Sequence, residues 1–194
     1  MNRNSTAKTK RMVGMALFTG IILVLQLIGT FVKIGIFPVS LVLIPIVVGA
    51  AVYGIKSGAY FGGIFGVFVL LTCIFGWDAG GNILWNSNPF LTALLCILKG
   101  AAAGLAAGAV YSAFTKINTY LGVVLAAIVC PIANTGVFLL GMYFFFYDTL
   151  VSWAGGVTFF AIIGLVLTNF LFELITNIIL CPTVARIIKI GKTM

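Results

Sequence analysis

Lys99 and Glu173 are the residues whose chemistry fits their surroundings least, because each lies well inside a long apolar stretch of the chain. In lipid each charge would cost about 2.5–3.5 kcal/mol, so both are expected to face the interior of a helix bundle. Asn169, Glu173 and Asn177 recur every fourth residue and share one helical face, while Asn134 and Thr135 stand beside Pro131 near the middle of another stretch. Gln26 adds a polar group to the outer half of the first. Polar groups of this kind, converging in an apolar cage, suit the capture of a small polar ligand. The structural alternative is an internal Lys99–Glu173 ion pair with asparagines cross-linking helices, and Asn177 is assigned to that role.

The sequence offers no catalytic constellation. Walker-type phosphate loops and paired carboxylates are missing, and with no histidine in the chain there is no histidine-based triad. Catalysis, ATP hydrolysis included, is therefore not expected of it. Cys73, Cys96, Cys130 and Cys181 are spread through apolar segments without a close pair, so they read as small buried hydrophobes, and neither metal nor cofactor is expected.

The elements that must position these residues are membrane helices. Hydrophobic residues make up 62% of the chain and charged residues 7%, far from the balance of a water-soluble domain. Apolar stretches at 12–31, 39–55, 58–76, 89–113, 119–146 and 157–183 predict an all-α, polytopic six-helix bundle, with 1–194 forming a single integral-membrane domain. The first stretch follows a basic segment but has no small-residue cleavage pattern, so it is expected to be a retained helix. Pro45 and Pro131 predict kinked or broken second and fifth spans.

The formal charge of +8 reflects Lys and Arg gathered at the termini and in alternate connections, which argues for a bilayer partner and against nucleic acid. With both termini cytoplasmic, Arg3, Lys8, Lys10, Arg11, Lys56, Lys116, Arg186, Lys189 and Lys192 fall inside. Lys33, Asp78 and Asp148 fall outside. The external connections are then 32–38, 77–88 and 147–156. The glycine- and asparagine-rich run from Trp77 to Pro89 is expected to be a loop, with Trp85 either anchoring at the lipid interface or roofing the ligand.

Small residues recur at four-residue spacing as Ala16 and Gly20, as Gly58, Gly62 and Gly66, and as Gly100, Gly104 and Gly108. Such stripes let another backbone approach closely. The two glycine stripes are read as internal packing, whereas Ala16 and Gly20, in the cytoplasmic half of the first span, are candidates for meeting another protein.

Taken together, the basic N-terminus with Ala16 and Gly20, the run from Ile44 to Gly49 followed by Tyr53 to Gly58, Asn88 and Pro89 opening the fourth span, Asn134 and Thr135 in the fifth, and Asn169 through Glu173 to Pro182 in the sixth resemble the substrate-binding S components of energy-coupling factor vitamin transporters. The resemblance covers about residues 12–190. It implies a six-helix membrane fold, an externally open vitamin pocket, and docking to a transmembrane coupling subunit driven by two cytoplasmic ATPases. The family's docking motif, two alanines separated by three residues, falls on Ala16 and Gly20, the glycine being a departure. On this reading Gln26, Trp85, Asn88, Lys99, Asn134, Asn169 and Glu173 are the candidate substrate contacts. The closest likeness within the family is to the broad group holding pantothenate and riboflavin binders. Lys99 suits the carboxylate of pantothenate, slightly preferred, and Trp85 suits a flavin ring; a self-contained secondary transporter and a membrane scaffold are the other readings.

Overall fold

The computed structural model describes residues 3–34, 37–38, 41–153 and 159–193. Parts of two connections expected to be external, 35–36 and 154–158, lie outside the described residues. The chain forms α1 (Arg3–Phe31), a minimal antiparallel pairing of β1 (Lys33–Ile34) with β2 (Phe37–Pro38), α2 (Leu43–Tyr53), α3 (Ile55–Ile74), α4 (Ala79–Ser87), α5 (Pro89–Phe114), α6 (Thr119–Phe145), α7 (Tyr147–Trp153) and α8 (Phe159–Thr193). Five of the helices, α1, α3, α5, α6 and α8, are long and apolar enough to cross a bilayer. The protein is an all-α, multi-pass membrane protein.

The second stretch, already short for a span, forms a helix shorter still. Instead of running over 39–55, α2 has 11 residues, about 16 Å of helix against a hydrocarbon core of about 30 Å. Pro45 sits in its first turn, where a missing N–H costs no helical hydrogen bond, so it neither kinks nor breaks the helix. Eight of the eleven residues are buried. The α2 helix is thus a core element wrapped by the longer ones, with Leu43, Ile46 and Val47 packed against Phe61, Phe65 and Val123. Gly54, at φ +96°, then separates α2 from α3 in a conformation that favours glycine.

The α3 and α5 helices lie antiparallel and in backbone contact. Gly58 faces the Gly104 carbonyl, Gly62 faces the Gly100 carbonyl, and Gly66 faces the Cys96 carbonyl; a methyl group at any of the three would run into the opposing main chain. Both glycine stripes are therefore internal packing. At the end of this pair, Gly108 meets Ile55. That places the α2–α3 junction, with Lys56, at the same end of the bundle as Lys116 and the α5–α6 connection.

The run from Trp77 to Pro89, expected to be a loop, is mostly helix. Gly76, at φ +75°, ends α3 by donating to the Cys73 carbonyl at 3.3 Å, while Trp77 donates to the Thr72 carbonyl at 3.0 Å. This double closure turns the chain back over the bundle. Asp78 then caps α4 by accepting from the Gly81 amide at 3.1 Å. Asn82 Nδ2 donates to the Cys73 carbonyl at 2.8 Å and holds α4 to α3. Gly80 and Gly81 are poor helix formers, but both are buried and no side chain fits at Gly81, which lies against Cys73 and Asp78. Tertiary packing overrides propensity here.

Pro131 is accommodated inside a continuous α6. Its ring nitrogen cannot donate to the Ala127 carbonyl one turn back. Asn177 Nδ2 on α8 donates to that carbonyl instead, at 3.1 Å. The Asn177 side chain is therefore a helix clamp, in keeping with its structural assignment.

Candidate ligand cavity

A cavity of about 70 Å³ lies in the half of the bundle remote from Lys56 and Lys116, enclosed by the last turns of α1 and α3, by α4, by the outer part of α5, by the second half of α6 and by α8. The helices that line it were ordered by the features just described. The glycine interlock brings α3 and α5 together, the turn at Gly76 lays α4 across their ends, and the Asn177 clamp fixes α8 against α6.

Five of the expected contact residues line this cavity: Gln26, Lys99, Asn134, Asn169 and Glu173. They come from four different helices, yet the fold brings them to one place. Gln26 is 2% exposed and Asn134 6%, and the side-chain oxygens of both are buried without a hydrogen-bond partner among the described residues. Asn169 Nδ2 donates to Glu173 Oε1 at 3.3 Å, so neighbours on the predicted polar stripe of α8 engage one another. Glu173 itself is buried. The Lys99 ammonium sits 4.8 Å from the centroid of the Phe138 ring, a cation–π contact that stabilises the charge at the cavity wall without consuming all of its donors.

Trp85 and Asn88 are placed elsewhere. Trp85 is half-buried against the main hydrophobic core and is not among the lining residues. Asn88 caps α5, its side chain accepting from the Leu91 amide at 3.1 Å. The Asn-Pro pair at 88–89 was thus the start signal of a helix.

Asp78 and Thr92 line the cavity and are buried, but neither was expected to be a contact. For Asp78 a signal existed: an aspartate just ahead of a short polar-apolar run is an N-cap, and a cap of a helix folded over the bundle points inward. Thr92 carried no such signal, since its hydroxyl also bonds back to the Asn88 carbonyl at 2.9 Å, as threonines in helices commonly do. Cys73 and Cys96 complete the wall between α3 and α5. Among the described residues no group of metal-ligating side chains comes together.

Ala16 and Gly20 lie on a different face of α1 from Gln26, roughly 80–120° round the helix. Both are exposed, and a side chain at Gly20 would meet nothing within the bundle, whereas one at Gly14 would collide with Tyr53. Around them Met12, Val13, Leu17, Ile21 and Val24 are exposed as well. The outer face of α1 is therefore apolar, with a notch of small residues.

What the arrangement can do is hold a small polar molecule inside an apolar bundle, with one cation, two carboxylates and two unpartnered amide oxygens facing it. No curated protein and no solved structure matches the chain. The family model for the ECF transporter substrate-specific component matches residues 10–185, nearly the whole sequence. A bundle of apolar helices around a polar cavity, and a family match that spans it, lead to one identification: this chain belongs to the substrate-specific components of ECF transporters.

Proposed function

We propose that the protein captures a small water-soluble vitamin from outside the cell, with pantothenate preferred, as the substrate-binding subunit of an ATP-driven importer. The observation that carries this reading is Lys99 beside buried Gln26 and Asn134 in one cavity. A carboxylate meeting the Lys99 ammonium gains a charge-assisted hydrogen bond in a site from which water is largely excluded. Riboflavin is the second reading, but its supporting residue, Trp85, packs against the core and not the cavity. Neither reading gives the chain an enzymatic role.

The cavity lies toward the end of the bundle that carries α4 and Asp78, and the basic residues Lys56 and Lys116 mark the other end. This supports an external opening and cytoplasmic termini. On the same reading Ala16 and Gly20 receive a helix of a transmembrane coupling subunit, and two cytoplasmic ATPases supply the energy. The exposure of that notch supports it.

The test is pantothenate titration of the purified protein and of Lys99→Met, which keeps length and removes charge. Loss of a partner to a buried charged group costs about 2–5 kcal/mol, so the variant should bind at least tenfold more weakly. Equal affinity in the two proteins would move Lys99 out of the substrate site.

A further inference from the structure

Pairing an acid with Lys99 leaves most of the cavity's polarity unexplained. Beside that one cation, the lining carries two of the chain's three acidic residues, Asp78 and Glu173. It also carries Gln26 Oε1 and Asn134 Oδ1, both buried and both lacking a donor among the described residues. The Lys99 ammonium, 4.8 Å from the centroid of the Phe138 ring, makes no hydrogen bond to either oxygen. The lining therefore holds two amide oxygens that no donor among the described residues reaches. A buried acceptor that forgoes water loses free energy unless something donates to it, and here two such atoms belong to side chains of α1 and α6 that line the same space.

We propose that the substrate is selected for its hydrogen-bond donors, hydroxyl or amide N–H groups received by Gln26 Oε1 and Asn134 Oδ1, as well as for an acidic group at Lys99. This inference rests on the cavity being the substrate site, and it narrows the class: an acid without donors fills the cavity but leaves both amide oxygens unpartnered. Sites built to receive a donor discriminate strongly against analogues that lack it, because the penalty falls on the protein's own buried groups.

Three probes separate the claims: pantothenate, an acid with hydroxyl and amide donors; lipoate, an acid whose body offers none; and riboflavin, a neutral polyol. Each is titrated against the wild-type protein and against Gln26→Met and Asn134→Leu, near-isosteric variants that remove the acceptor and keep the packing. The expected result is that pantothenate binds at least tenfold more tightly than lipoate and that each variant loses about tenfold or more for pantothenate. Binding of riboflavin in place of pantothenate, weakened by the same two variants, would end the acid assignment and uphold the donor assignment. The donor assignment is overturned if lipoate binds as tightly as pantothenate. It is equally overturned if both variants keep wild-type affinity for whichever probe binds, and failure of all three probes to bind the wild-type protein would end both assignments. The comparison of probes on the wild-type protein does not depend on any variant folding.

Discussion

At the scale of single residues, the polar side chains inside this bundle divide by what they touch. Asn177 serves a helix backbone, filling the acceptor that Pro131 leaves open, while the side-chain oxygens of Gln26 and Asn134, which line the cavity, meet no donor among the described residues. The distinction has a measurable consequence. Asn177→Leu strands the Ala127 carbonyl in an apolar environment and should cost about 1–3 kcal/mol of stability. Asp78→Ala removes the cap of α4 and should cost about 1 kcal/mol. Thermal unfolding in detergent reads both, and ligand titration reads the second effect, since Asp78 also faces the cavity. An Asn177→Leu protein as stable as the wild type would show that the clamp carries no weight. The residue-level reading of the sequence reached Gln26, Lys99, Asn134, Asn169 and Glu173 because isolated polar groups in apolar stretches are conspicuous. It did not single out Asp78, because an acid beside glycines and asparagines looks like any solvated loop residue, and Asn88, expected both to open a helix and to be a contact, is seen in the first role as the cap of α5.

Among the elements, hydropathy placed the five long helices to within a few residues, except where α1 extends back through a polar turn to Arg3 and α8 continues past Pro182 to Thr193. Apolar content says where lipid is, not where a helix stops. It set α2 too long and overlooked α4, for opposite reasons. The α2 segment is apolar enough to span but is surrounded by protein, and α4 is polar and glycine-rich yet helical because Asp78 caps it and α3 receives it. The α3–α5 interlock supplies the prediction at this scale. Gly62 faces the Gly100 main chain, but its neighbour Gly63 faces open space. Gly62→Leu should force the two helices apart at a cost of about 1–3 kcal/mol or more, whereas Gly63→Leu should be neutral. Melting temperatures of the two variants make the comparison internal, and equal melting would dissolve the argument that backbone contact holds this pair.

On the scale of the whole molecule, α1 is the element that serves two environments. One face delivers Gln26 to the cavity, and another exposes Ala16 and Gly20 among larger apolar side chains. In lipid a notch of this kind gains nothing from the hydrophobic effect, because acyl chains are as apolar as leucine; it gains from the close approach of another helix. That is the physical ground for proposing a coupling partner, and not the bilayer, as what meets the notch. Ala16→Trp or Gly20→Trp would hold such a helix away by the thickness of an indole ring. Both sites face away from the cavity and meet no neighbour at Gly20, so ligand titration of the isolated subunit should be nearly unchanged. ATP-driven uptake, measured in liposomes with the coupling complex, should fall toward background in each variant, and co-purification of the complex should fall with it. Uptake by the subunit alone, without ATPases, would identify a self-contained transporter, and an unaltered complex in both variants would place the coupling surface on another face of the bundle.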